Sequence, residues 1–147
     1  MTNLIFKRSI VINASISKVW NVLTDAKCIP KFYFGMQWKT NWQKGSPIIF
    51  IGNWDHQDFE DRGNILDIEK QKFILFNYFN PEWEEEDIPG NYKCMRFELE
   101  DRSNETIFTF IEYNVAEQEL FPSLEIKWNS VLFSVKQEAE KLNQLNW

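Results

Sequence analysis

Apolar residues recur along this chain at two periods, and the change between them divides it. From Ser123 onward, Trp128, Val131, Leu132, Val135, Ala139 and Leu142 follow at steps of three and four. That spacing gathers them on one stripe and predicts an amphipathic helix of roughly twenty residues. Upstream the period is two, as in strands with one buried face. Residues 4–13 alternate with Ile10 and Ile12 on one face, and Pro47 to Trp54 reads as a strand. A hairpin near Asp55-His56 returns through residues 57–68. Residues 72–80 are apolar on both faces apart from Asn77 and Asn80, so that strand is covered on both sides or lies near a binding surface. From Tyr92 to Glu100, Met95, Phe97 and Leu99 stand opposite Cys94, Arg96 and Glu98, and Thr106 to Tyr113 forms the last strand.

Between the first strand and the rest, Ile16, Val19, Trp20 and Leu23 share the face of a short helix. Asn13 or Ser15 offers it a capping oxygen. Thr24 and Asp25 start a second short helix that Pro30 interrupts or kinks, and Lys31 to Gly35 leads back into extended chain. The predicted order is strand, two helices, six strands, long helix. It describes an α+β fold, one domain over residues 1–147. A curved antiparallel sheet of about seven strands wraps around the long C-terminal helix, and the two short helices close one end. A sheet that grips one helix encloses a space rather than a solid core. The expected cavity is roughly 300–1,000 Å³, the normal range for ligand sites. Its expected lining is Phe50, Phe97, Phe108, Phe110, Leu132 and Val135, each on the inward phase of its element. Phe73 and Leu75 are further candidates, their strand having no decided phase.

A chain of 147 residues buries about 68–70% of its unfolded surface and needs no disulfide or metal to hold it. Aromatic residues make up 16%, with 13 Phe and 7 Trp, enough for a bulky core or an aromatic-lined pocket. The net charge of −6, without any basic block, argues against nucleic acid and anionic membrane surfaces as partners. No apolar run reaches the ~18–20 residues of a membrane span, and the N-terminus reads as a strand rather than a signal peptide. Cys28 and Cys94 lack metal-ligand spacing and read as reduced thiols, which points to the cytoplasm. The acidic stretch 81–91 reads as a solvated connection or a lid.

Candidate chemistry is sparse. The single His, His56, falls at the predicted hairpin tip, away from any buried nucleophile. No zinc spacing and no phosphate-binding glycine loop occurs, so neither metal nor cofactor is expected. Asp67, Asn77, Arg96 and Glu112 are polar residues in otherwise apolar strands. Arg96 is expected to face out. Glu112 shares a face with Phe108 and Phe110. It either reaches solvent at the strand end or lies buried with a raised pKa, and it is the only catalytic candidate. Trp20 and Trp128 read as core anchors.

The order of elements and four stretches resemble the START/polyketide-cyclase (SRPBCC) superfamily and its helix-grip fold. The branch they resemble is named for the activator of heat-shock protein 90 ATPase. Ile10 to Asp25 resembles that branch's opening strand and Val-Trp-x-x-Leu-Thr-Asp helix, and Gly63 to Ile68 its Gly-x-Val-x-Glu-Ile strand. Thr106 to Phe110 is similar to its Thr followed by alternating apolar residues, and Trp128 to Lys136 to its closing Trp-x-x-Leu-x-x-Leu-Lys helix. The chain departs from the pattern at Gly45-Ser46, at Phe32-Tyr33 in place of a paired Trp, and at Lys127 in place of a Gly. The resemblance implies three functions: binding of an apolar or lipid-like small molecule, a co-chaperone role with a chaperone partner, or cyclase or dehydratase chemistry using Glu112, Asp67 or Tyr78. Together with the sparse chemistry, it favours a non-catalytic binding module, monomeric or homodimeric.

Overall fold

The computed structural model describes residues 4–144, with backbone alone at Trp54 and at 142–144. Strand β1 (Phe6–Ile12) leads into helices α1 (Ile16–Thr24) and α2 (Ile29–Phe32). Six strands follow: β2 (Gln37–Lys39), β3 (Pro47–Trp54), β4 (Gln57–Glu69), β5 (Phe73–Tyr78), β6 (Lys93–Arg102) and β7 (Glu105–Tyr113). Helix α3 (Phe121–Gln144) closes the order. All neighbouring strands pair antiparallel in one sheet of order β1-β7-β6-β5-β4-β3-β2. β1 crosses over to pair with β7, and the other strands pair in sequence order.

Ser15 caps α1, its hydroxyl accepting from the Lys18 N–H, and Val19, Trp20, Val22 and Leu23 bury the inner face. Pro30 does not interrupt α2. It stands in that helix's first turn, where a missing N–H goes unneeded and its fixed φ suits the helix. Pro122 does the same for α3, which begins at Phe121 rather than Ser123. The stripe of α3 is buried as its spacing predicts: Trp128, Val131, Val135 and Ala139 are fully enclosed and Leu132 nearly so. Leu142, the last member of that stripe, lies outside the residues whose side chains are described. Lys136 donates to the Val11 carbonyl at 2.9 Å and Glu140 accepts from the Asn13 N–H at 2.9 Å, pinning the far half of α3 to the end of β1.

The concave face carries the core. On β7, Thr106, Phe108, Phe110 and Glu112 alternate inward, opposite Met95, Phe97 and Leu99 of β6. On β5 the inward residues are Ile74 and Phe76; Phe73 and Leu75 take the convex face, where Arg96 covers the Phe73 ring at 4.1 Å. Arg96 thus faces out as expected, paired to Glu98 at 2.6 Å. A bulge between Ile65 and Asp67 bends β4. Just before it, Gly63 lets two strands approach closely, since a Cβ there would fall 1.9 Å from the Asn77 backbone oxygen. Asp55 and His56 both take positive φ, 52° and 63°, in the two-residue turn joining β3 to β4. Cys28 and Cys94 are free and half-buried.

Two substitutions test this packing by urea denaturation. Leu132→Ala is expected to lower stability by about 2–5 kcal/mol. Gly63→Ala should cost about 1–3 kcal/mol, because backbone must shift to admit the methyl group. A loss below half a kcal/mol in either case contradicts the packing described.

Candidate functional site

One cavity of about 360 Å³ opens where the β3–β5 half of the sheet meets α3. Tyr33, Phe34 and Met36, from the segment after α2, form one wall, and Asn53, Phe59 and Asp61 of the β3–β4 hairpin form another. Tyr78 of β5 and Lys127 of α3 complete it. Strand period explains the convergence: Phe59 and Asp61 lie two apart, and Tyr78 continues the inward phase of Ile74 and Phe76. Gly52 leaves room behind them, since a Cβ there would meet the Phe59 ring at 2.5 Å and Met36 at 3.0 Å. Phe34, at φ 52°, is exposed at the mouth, and Gly35 follows at φ 74°. Two other hollows are larger. One of about 740 Å³ borders the acidic loop and one of about 710 Å³ lies beside the β4–β5 turn, both with more polar walls. Aromatic rings and buried titratable groups converge at the smaller cavity instead.

Burial governs the electrostatics. Glu112 is 5% exposed, and loss of water raises its carboxyl above the ordinary value, offset in part by the charges of Lys93 and Lys127. Asp61 is also raised by burial, against a hydrogen bond from Asn80 and the charge of Lys127, and its Oδ1 has no hydrogen-bond partner. Lys127 is lowered, chiefly by burial, while Glu112 and Asp61 pull the other way. Burial and the negative charges of Glu112 and Asp61 raise the phenols of Tyr33 and Tyr78. The Lys127 ammonium stands 5.5 Å from the Tyr33 ring and 5.2 Å from that of Trp128, within cation–π range. Two carboxyls, one amine and two phenols therefore sense one another, and all of them except Glu112 line a mostly apolar hollow.

Phe50, Phe97, Phe108, Phe110, Leu132 and Val135 are all buried at 3% exposure or less, and none of them lines this cavity. The four Phe belong to a chain of ring contacts that reaches the cavity wall: Phe50 meets Tyr78 at 5.5 Å, and Phe97 meets Trp38 at 6.0 Å. Trp20 and Trp128 are buried in the core. Glu112 and Tyr78 join the cluster. Asp67 does not, lying 3.9 Å from Lys44 beyond the bulge, and Asn77 accepts from the Asn64 N–H at 2.8 Å. His56 is exposed at its turn. In the acidic loop, Trp83 packs on Phe79 at 5.3 Å and Tyr92 donates to Asp87. Among the described residues, no three His, Cys, Asp or Glu side chains gather as metal ligands would, and no helix is long and apolar enough to cross a membrane.

The family model described as "Activator of Hsp90 ATPase homolog 1-like protein" matches residues 13–140. The chain belongs to this family. No curated protein matches it in sequence. Among solved structures, a protein from Cytophaga hutchinsonii shares 27% identity at a TM-score of 0.83, over 98% of this chain and 99% of that one. The Aha1 dimer from Colwellia psychrerythraea shares 19% identity at a TM-score of 0.71, over 93% and 96%. CalU16 from Micromonospora echinospora shares 14% identity at 0.66, over 94% and 73%. The last two establish likeness of fold alone. Tyr33, Asp61 and Lys127 were not singled out as site residues by the sequence, yet a signal was present. Two departures from the family pattern, Phe32-Tyr33 and Lys127, supply residues that meet at this cavity.

The pH dependence of stability follows from Glu112. Below about pH 4.5 the folded and unfolded states both hold its proton. Between that value and the higher folded pKa, the folded state alone holds it, so stability falls as pH rises through this window. Asp61 acts in the same direction. Glu112→Gln is expected to gain on the parent progressively from pH 4.5 upward and then level off. Urea midpoints from pH 4 to 8 read the difference. A difference that is flat with pH, or that shrinks as pH rises, excludes a buried Glu112 with a raised pKa.

Proposed function

We propose that this chain is a non-catalytic binding module for a small, mostly apolar molecule, held between the concave face of the sheet and α3. The observation that carries the reading is the cavity of about 360 Å³, walled by Tyr33, Phe34, Met36, Phe59 and Tyr78, with further polar groups from Asn53, Asp61 and Lys127. Ligand sites have this composition: an apolar body of the right volume and a few convergent polar groups that orient what enters. Phe34 stands at the mouth. In this reading Phe50, Phe97, Phe108, Phe110, Leu132 and Val135 form a rigid wall behind the ligand. The protein works in the cytoplasm with both thiols reduced, as a monomer or as a homodimer; the second is the form for which the Colwellia psychrerythraea structure is named. The chaperone-partner reading rests on the family description alone.

Native mass spectrometry of freshly purified protein is expected to reveal a retained small molecule. In ¹H–¹⁵N spectra, titration with a small aromatic alcohol should move the amides of Met36, Phe59 and Tyr78. Phe59→Ala removes one wall and should weaken binding about tenfold, roughly 1.4 kcal/mol. Shifts confined to the acidic loop or to the convex face around Phe73, or no saturable shifts, would refute the assignment.

A further inference from the structure

The cavity holds an amine in a setting unlike that of the surface lysines. Lys31, Lys44, Lys72 and Lys136 pair with carboxylates at the surface, and among the described residues no lysine but Lys127 lies over an aromatic ring. Lys127 forms no ion pair among the described residues, and its nitrogen lies over the rings of Trp128 and Tyr33 on the cavity wall. Asp61 of β4 and Glu112 of β7 face it with negative charge, Lys93 of β6 adds a positive one, and Tyr78 of β5 closes the opposite side. On the basis of the binding reading above, we propose that Lys127 captures carbonyl compounds in this cavity, condensing with a compact aldehyde or ketone to form an imine.

The step balances with groups at hand. The ammonium passes one proton by way of solvent water to the Asp61 carboxylate, which faces it from beyond ion-pair distance. The freed nitrogen lone pair attacks the carbonyl carbon, and the carbonyl π electrons pass to oxygen, which takes the second nitrogen proton. Asp61 returns its proton to the carbinolamine hydroxyl, which leaves as water while the C=N bond forms. An ammonium and a carbonyl thus yield a protonated imine and one water. Charge is conserved, so the attractions of the two rings and two carboxyls for the cation carry over to the product. Burial also lowers the Lys127 pKa. A lowered pKa enlarges the neutral, nucleophilic fraction near neutral pH.

Benzaldehyde with sodium cyanoborohydride, applied to the full chain at pH 7, is the test, read by peptide mass mapping. The expected result is a benzylated Lys127 in roughly tenfold or greater excess over the surface lysines, suppressed by benzyl alcohol, which has the same shape without the carbonyl. Lys127→Arg should abolish that adduct, spare the others and keep the parent's near-UV circular dichroism. If it does not fold, Lys127→Met serves, and selectivity on the parent is decisive in either case. Labelling spread evenly over the lysines overturns capture. Benzyl alcohol shifts at Phe59 and Tyr78 without an adduct at Lys127 overturn capture and leave the binding reading standing. Neither shifts nor adduct overturns both.

Discussion

The ring of Trp128 organises the concave side of this molecule. It is fully buried and stacks on Phe110 of β7 with centroids 3.4 Å apart and planes 16° apart, while Tyr33 and Phe97 meet it at 5.7 Å and 6.4 Å. A stack of two large rings fixes both the depth of α3 against the sheet and its rotation about its own axis. The residue before Trp128 must then project toward the β3–β5 half, which brings Lys127 to the cavity. Two residues beyond Phe110, the same inward phase of β7 carries Glu112 toward that end. The position of the charged cluster is therefore a consequence of the stack. Trp128 leaves its indole N–H without a hydrogen-bond partner, as does Trp38. Such a cost, about 1–3 kcal/mol for each group, is offset by the large apolar area the two rings bury.

The two halves of the sheet serve different ends. Around β1, β6 and β7, Phe6, Met95, Phe97, Phe108 and Phe110 pack at 1% exposure or less. Toward β3, β4 and β5, Phe50 and Phe76 are still buried, but glycine stands in place of a side chain at Gly52 and the cavity opens among the rings. A rigid half beside a hollow half suits a binding protein, because the wall behind a ligand does not need to rearrange when the ligand enters. The charged groups lie at the junction of the halves, shielded enough to be perturbed yet beside a space that a small molecule can fill. Perturbed titratable groups beside such a space are typical of functional sites.

The strands and helices were legible in the sequence because each has one face in the core, and burial of one face imposes its own period. The β1 pair Ile10 and Ile12, the β6 set Met95, Phe97 and Leu99, and the α3 stripe from Trp128 to Ala139 follow that rule, Ile10 only in part. Where both faces are apolar the period carries no information, and β5 shows it: Ile74 and Phe76 turn inward, Phe73 and Leu75 outward. Proline was ambiguous for a related reason. Pro30 breaks a helix interior but suits a first turn, and which it occupies depends on where the helix begins.

The candidate site was less legible. Glu112 and Tyr78 could be placed on inward phases from their own strands, but Asp61, Lys127 and Tyr33 come from elements far apart in sequence. No local period says that such residues face one space, since their meeting depends on sheet curvature, the β4 bulge and the rotation of α3. The inward aromatics posed the converse problem. Phe50, Phe97, Phe108 and Phe110 had the right phase to line a cavity, but phase does not tell whether rings fill a space or border it. The sequence by itself determined the order of elements, their buried faces and the family, because these rest on local periodicity and short motifs. The tertiary structure alone decided which inward residues pack solid, which surround the hollow, and that two carboxyls, an amine and two phenols come within electrostatic reach of one another, because contacts between distant segments form only when the sheet closes on α3.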